Sequence, residues 1–350
     1  MPIRGLRPMN IAARLARASL MLLGGCAVSG SQPAVSQEPL AGVNIAGGEF
    51  NSARKPGTYG QDYIYPDAKT AQPFVDMGMQ LVRVPILWER LQPIPLKPLE
   101  ATELALIDKA LVSLSPFQTI ILDIHNYGKF NGQGLDQIPE GGDWLSDLWQ
   151  RLADHYKGRP AIAFGLMNEP NGMTPAAWRK MVDHSVAAIR QTGARNLILV
   201  PGSNWTGAHS WTNGGTGSNA AAFSDFRDPG SNYAFEMHQY LDANSSGTVM
   251  SCVDPATVAS RMASATNWLR SYGHRGFLGE FGAPPDQNCL HGLDALLKYL
   301  SANGDAWMGW TYWAGGAWWG SNYPMSVQPI KGQQRPQAAV LTPYIVAGKP

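Results

Sequence analysis

Glu169 closes the run Ile162-Ala163-Phe164-Gly165-Leu166-Met167-Asn168-Glu169-Pro170, and Glu280 sits in Gly279-Glu280-Phe281-Gly282. Each ends an apolar stretch that reads as a strand buried on both faces, so each carboxyl group would emerge at a strand's carboxyl edge. Two carboxyl groups about 5–5.5 Å apart are what retaining hydrolysis of a glycosidic bond needs. One must stay protonated to serve the leaving oxygen, and the other must be ionised to attack the anomeric carbon. Arg83, in Val82-Arg83-Val84-Pro85, is suited to hold Glu280 ionised, because a nearby guanidinium favours a carboxylate. Glu169, followed by apolar Pro170, is the better acid. Pro170 lacks an N–H and biases Glu169 toward extended geometry, so the strand is predicted to stop there. Taken alone, Asn-Glu-Pro is equally a polar turn, and the elements around it decide.

Eight apolar, strand-like runs recur: Gly42–Gly47, Leu81–Ile86, Thr119–His125, Ile162–Glu169, Leu197–Pro201, Ala234–His238, Gly276–Glu280 and Trp307–Trp313. Helical patterns fill most intervals, over Asp67–Met79, Ala101–Leu114, Asp143–Tyr156, Thr174–Thr192, Pro255–Tyr272 and Leu290–Ala302. Strand and helix alternating in this way imply an α/β fold, a closed (β/α)8 TIM barrel in one domain, whose chemistry sits at the carboxyl ends of the strands. The stretch Gly202–Asp228, rich in Gly, Asn, Ser and Trp, reads as a long loop decorating that end, and a last helix is expected over Pro336–Val340.

The residues closing the runs are Arg83, His125, Asn126, Asn168, Glu169, His238, Tyr240, Glu280 and Trp313. Any one of them is unremarkable, since a lone His is usually a core or loop residue and a lone Arg a salt bridge. Polar or aromatic groups at the same end of six strands point to a site, with Asn126 among the expected substrate contacts. A metal-dependent hydrolase using His125, Glu169, His238 and Glu280 is disfavoured, because no His-x-His follows the first strand and Arg83 would repel a cation. No metal or other cofactor is expected.

The amino terminus carries Arg4, Arg7, Arg14 and Arg17 without an acid, then Ala18-Ser19-Leu20-Met21-Leu22-Leu23 and Gly24-Gly25-Cys26. This is an export signal and too short for a membrane span. Leu23-Gly24-Gly25-Cys26 resembles a bacterial lipobox, so the expected organisation is a signal peptide over 1–25, a tether over 26–39 and a catalytic domain over 40–350. Lipidation of Cys26 would make the protein a secreted or outer-membrane-anchored lipoprotein of a bacterium. The alternative is ordinary cleavage among Ala27 to Ser31. Without the four leader arginines, 23 basic residues face 26 acidic ones, a near-neutral, slightly acidic balance that makes nucleic acid an unlikely partner. Twelve Trp and twelve Tyr in a chain only 15% charged suggest stacking on sugar rings, although large cores also use Trp. Cysteine parity leaves Cys252 and Cys289 as a candidate disulfide, and a monomer is expected.

Gly42-Val43-Asn44-Ile45-Ala46-Gly47, Asp123-Ile124-His125-Asn126-Tyr127, Gly165-Leu166-Met167-Asn168-Glu169-Pro170, His238-Gln239-Tyr240-Leu241-Asp242 and Asn244-Ser245-Ser246-Gly247-Thr248 together resemble glycoside hydrolase family 5. They are most similar to the endoglucanase subfamily that includes fungal endoglucanase II, over Leu40 to about Val327. The resemblance implies Glu169 as acid/base and Glu280 as nucleophile, with Asn168 on the sugar 2-hydroxyl and Arg83 and Tyr240 supporting the nucleophile. It further implies His125 and His238 lining the cleaved subsite, Trp313 as its stacking floor, Trp205 in the cleft, and a Cys252–Cys289 bridge. The substrate it implies is a β-1,4-glucan such as cellulose, with mannan or mixed-linkage glucan as same-fold alternatives. A noncatalytic glycan binder is disfavoured because both glutamates are present. One departure is Gly279 and Phe281 around Glu280, where the fungal members carry Thr.

Overall fold

The computed structural model describes residues 38–345; the expected leader, Cys26 and residues 26–37 of the expected tether lie outside them. Among the described residues ten strands run in chain order: β1 (Leu40–Ile45), β2 (Leu81–Ile86), β3 (Thr119–Ile124), β4 (Lys129–Phe130), β5 (Gln133–Gly134), β6 (Ile162–Gly165), β7 (Ile198–Pro201), β8 (Tyr233–His238), β9 (Gly276–Glu280) and β10 (Trp307–Gly315). β4 and β5 form a small hairpin after β3, and the other eight close a barrel in the order β1-β2-β3-β6-β7-β8-β9-β10. Every neighbouring barrel pair is parallel, so all carboxyl ends share one rim. The sequence-based expectation of a (β/α)8 barrel is met.

The helices outside the barrel include α1 (Ala68–Asp76), α2 (Trp88–Leu91), α3 (Ala101–Ser113), α4 (Gly141–Tyr156), α5 (Pro175–Gln191), α6 (Asn219–Phe223), α7 (Val258–Tyr272), α8 (Gln287–Ala302) and α9 (Pro336–Leu341). Their starts follow from local chemistry. Asp67, Thr174 and Asp286 accept backbone N–H groups in the first turns of α1, α5 and α8, and Pro175 opens α5 where no N–H partner is needed. The outer helices pack Trp88, Trp149, Trp178 and Leu152 against the barrel wall, all fully buried. Trp211, Trp307 and Trp310 are buried as well, so the tryptophan content serves the core more than a sugar-stacking surface.

Inside the barrel the side chains form layers. Leu81, Ile121, Ala163, Leu199, Ala234 and Phe277 make a separate apolar cluster nearer the amino ends of the strands. Two residues further along the same strands stand Arg83, Asp123, Glu236 and Gly279, which share that inward face because side chains alternate along a strand. Cys252 and Cys289 form a disulfide that fastens the loop after β8 to α8. Closing a loop of 37 residues contributes about 4 kcal/mol on the chain-entropy model.

Candidate active site

Arg83 on β2 organises the centre of the rim. Its guanidinium donates from Nη1 to Glu280 Oε1 at 2.8 Å and to Asn44 Oδ1 at 3.0 Å, and from Nη2 to Asn168 Oδ1 at 2.9 Å. It also pairs with Asp123 at 3.0 Å and Glu236 at 2.9 Å. Burial opposes its charge, yet Asp123, Glu236 and Glu280 outweigh that and raise its pKa, so Arg83 is a permanent cation. The expected Arg83–Glu280 pairing is present, with Tyr240 donating its hydroxyl to Glu280 Oε2 at 2.9 Å. Burial first, then the Glu280 charge, pushes the Tyr240 phenol well above its ordinary range and keeps it a donor.

Glu169 enters from the segment after β6. That strand ends at Gly165 rather than at Glu169, although Leu166 N–H still bonds Leu199 O at 3.2 Å and Asn168 N–H bonds Ile124 O at 2.7 Å. Extended geometry at Glu169 is also overturned: its φ is +42°, a left-handed conformation that Pro170 alone would not select. One local and one long-range bond override the preference set by Pro170. Asn171 Nδ2 donates to Glu169 O at 3.1 Å and Trp205 N–H to Pro170 O at 3.1 Å, holding the strained residue and the one after it.

His238 joins the two glutamates. Its Nδ1 lies 2.8 Å from Glu169 Oε1 and 3.6 Å from Glu280 Oε2, and its Nε2 lies 3.5 Å from Glu236 Oε1. Burial alone would lower the imidazole pKa, but Glu280, Glu169 and Glu236 together carry it up to about 10. One carboxylate oxygen of each glutamate and a His238 ring nitrogen all lie within 4.8 Å of one another. That separation is close to the spacing of retaining glycosidases and well short of the roughly 6.5–9.5 Å of inverting ones. Three such groups could in principle ligate a cation, but each is already engaged by proton donors or acceptors of the site, which suits proton transfer.

His125 holds Asp123 Oδ2 through Nδ1 at 2.7 Å and stacks on Trp313 with ring centroids 5.6 Å apart, while Trp313 Nε1 donates to Tyr323 Oη at 3.0 Å. Burial works against a charged His125, Asp123 works for it, and the result is a raised pKa. Trp205 is 57% exposed and lines a cleft of about 740 Å³ with Tyr127, Glu169, His209, His238 and Ser246. Asn126 is the exception among the expected contacts. Its Oδ1 accepts Trp88 N–H at 2.8 Å and its Nδ2 donates to Glu89 Oε2 at 2.7 Å, so both ends of the amide anchor the loop after β3 rather than face a substrate. Sequence reasoning missed Asp123 and Glu236, the buried acids around Arg83. Their signal was an acidic residue inside an otherwise apolar strand.

With this geometry in hand, comparison with known proteins is informative. Residues 41–316 match the family model described as cellulase (glycosyl hydrolase family 5). A probable endo-β-1,4-glucanase B of Neosartorya fischeri is 34% identical over 88% of this chain and 92% of its own length. An endo-β-1,4-glucanase from Xanthomonas axonopodis pv. citri has a crystal structure 46% identical to this chain, with a TM-score of 0.84, covering 88% of this chain and 98% of that one. A structure of XacCel5A in complex with cellopentaose is 45% identical, with a TM-score of 0.85, covering 88% and 99%. The curated relatives also correct the expected localisation. They include fungal endoglucanases, from Neosartorya fischeri and Neurospora crassa, so an outer-membrane-anchored bacterial lipoprotein is withdrawn as the assignment. The barrel, the paired glutamates on its rim and a family match over most of the chain agree: this protein belongs to glycosyl hydrolase family 5, the cellulase family.

Proposed function

We propose that the protein is a secreted endo-β-1,4-glucanase that cleaves internal bonds of cellulose or related β-glucans by a retaining double displacement without a cofactor. The observation that carries this reading is the approach of Glu169 and Glu280 carboxylate oxygens to within 4.8 Å at the cleft. Glu280, ion-paired to Arg83 and bonded by Tyr240, attacks the anomeric carbon, while Glu169 gives its proton to the departing oxygen. Water then enters on the face that Glu169 occupies, Glu169 takes its proton, and the sugar leaves Glu280 with its original anomeric configuration. Asn168 spends its Oδ1 on Arg83, which leaves the amide nitrogen for the sugar 2-hydroxyl. Trp313 and Trp205 offer stacking faces, and His125 and His238 line the cleaved position. The cellopentaose complex of the related XacCel5A supports a β-glucan substrate, and the Cys252–Cys289 bridge suits an exported protein.

The test separates the two carboxyl groups. Glu280→Gln should abolish turnover of every substrate, whereas Glu169→Ala should cripple cellulose cleavage yet spare attack on aryl cellobiosides whose acidic phenols leave without protonation. Azide should then release a β-glycosyl azide from the Glu169→Ala variant. An α product from that variant, or azide rescue of the Glu280 variant with the β configuration retained, means the roles are reversed. Reducing-end release from carboxymethylcellulose, glucomannan, barley glucan and xylan checks the polymer, and a strong preference for mannan overturns the glucanase reading.

A further inference from the structure

Beside the two glutamates lies a third carboxylate that the proposed reaction does not use. Glu236 stands two residues before His238 on β8 and is 1% exposed. Its Oε1 lies 2.9 Å from Arg83 Nε and 3.5 Å from His238 Nε2, and among the described residues neither of its oxygens completes a well-formed hydrogen bond. A buried carboxylate so poorly satisfied costs stability. Its position also depends on a glycine. A Cβ added at Gly279 would sit 2.2 Å from Glu236 Oε1 and 2.8 Å from its Cδ, so a side chain there would displace the carboxylate.

We propose that Glu236 is a positioning residue for the acid/base step: it holds the His238 ring with Nδ1–H directed at Glu169, and Gly279 provides the space that lets it do so. The proposal rests on Glu169 being the acid/base. In the first step Glu280 bonds to the anomeric carbon, the bond to the leaving oxygen breaks, and that oxygen takes the Glu169 proton. Glu169 is left a carboxylate, and the Nδ1–H 2.8 Å away then donates to an anion instead of a neutral acid, a contact that strengthens as the charge develops. The charged groups facing His238 are Glu169, Glu280 and Glu236, with Arg83 behind Glu236. Of the three acids, only Glu236 keeps its charge unchanged through the cycle.

The test compares kcat/KM for cellopentaose, whose leaving group needs a proton, with that for 2,4-dinitrophenyl cellobioside, whose leaving group does not. Glu236→Gln should lower the first about 10-fold or more and the second less than about 3-fold, a fraction of the 10²–10⁴ that general acid catalysis supplies. Gly279→Ala, which keeps the charge but moves it, should give the same split, and Glu236→Asp should recover part of the cellopentaose rate. Equal losses on both substrates overturn the proposal, because Glu236 would then act through Arg83 on the nucleophile or on the fold alone. Unchanged rates on both overturn it too. If Glu236→Gln does not fold, Gly279→Ala decides. Glu169→Ala is measured alongside: if it fails to separate the two substrates, the acid/base reading falls, and if it separates them while Glu236→Gln does not, only the present inference falls.

Discussion

Two layers of the barrel interior, built from the same strands, are held together in opposite ways. The lower layer, Leu81, Ile121, Ala163, Leu199, Ala234 and Phe277, is apolar throughout. The upper one, two residues further along β2, β3, β8 and β9, sets Arg83 against Asp123 and Glu236 with Gly279 leaving room, and the Glu280 carboxylate closes it from above. The strand pleat separates them by only about 6.5 Å. Apolar packing below contributes stability and is indifferent to chemistry. Ion pairing above costs desolvation but fixes charges before a substrate arrives. Stability and activity should therefore respond separately to substitutions in the two layers.

The largest effect is expected in the upper layer. Arg83→Met leaves three buried carboxylates without their shared cation and should cost about 3–5 kcal/mol in chemical denaturation, with activity lost as well. Leu199→Ala in the lower layer should cost about 3 kcal/mol through the cavity it opens, while kcat/KM of the folded enzyme stays within about twofold. Loss of catalysis without loss of stability at Leu199 would break the contrast.

Histidines sharpen it. His238, among carboxylates, is carried up to about 10, whereas His274, buried among Tyr233, Phe235 and Trp268 near the Arg227 charge, is pushed down by burial to about 4. The signs are opposite. His238 adds stability that is fully present below pH 6.5 and is lost as pH rises toward about 10. For His274 the unfolded chain takes up the proton first, so stability is full above pH 6.5 and falls as pH drops toward about 4. The acid-side loss should be on the order of 2 kcal/mol once solvent screening is allowed for, and should shrink in His274→Phe when denaturation is followed from pH 7 to 4. The smallest effect belongs to the cleft: Trp205→Ala removes an exposed stacking face and should raise KM for cello-oligosaccharides by a factor corresponding to about 1 kcal/mol, with melting temperature unchanged.

Much of this organisation was legible in the residues. The alternation of apolar runs and helical patterns led to the barrel because burial on both faces leaves parallel strands continuous in hydrophobicity, and β2 and β9 appear with their expected bounds. Glu169, Glu280, Arg83, His238 and Tyr240 were visible as polar groups closing those runs, and the structure brings them together. Asn126 was misread because its neighbour His125 is on the site while its own amide turns to Glu89 and Trp88. Glu236 went unnoticed because a single acid inside Tyr233-Ala234-Phe235-Glu236-Met237-His238 carries no periodic signal of its partner.

Local sequence determined which strand each site residue occupies or follows, since strand pleat and hydrophobic runs act over a few residues, although β6 stops at Gly165, before Asn168-Glu169-Pro170. Which side chains meet was decided by barrel closure. Arg83 and Glu280 stand 197 positions apart, and His238 and Glu169 stand 69 apart. Their distances depend on how eight strands tilt and register as the sheet closes, a property of all the strand pairs at once. The left-handed turn at Glu169 is shared between the two: the proline after it favours extended backbone, the nearby Asn171 side chain caps the Glu169 carbonyl locally, and Trp205, from the loop after β7, bonds the Pro170 carbonyl once the fold is formed.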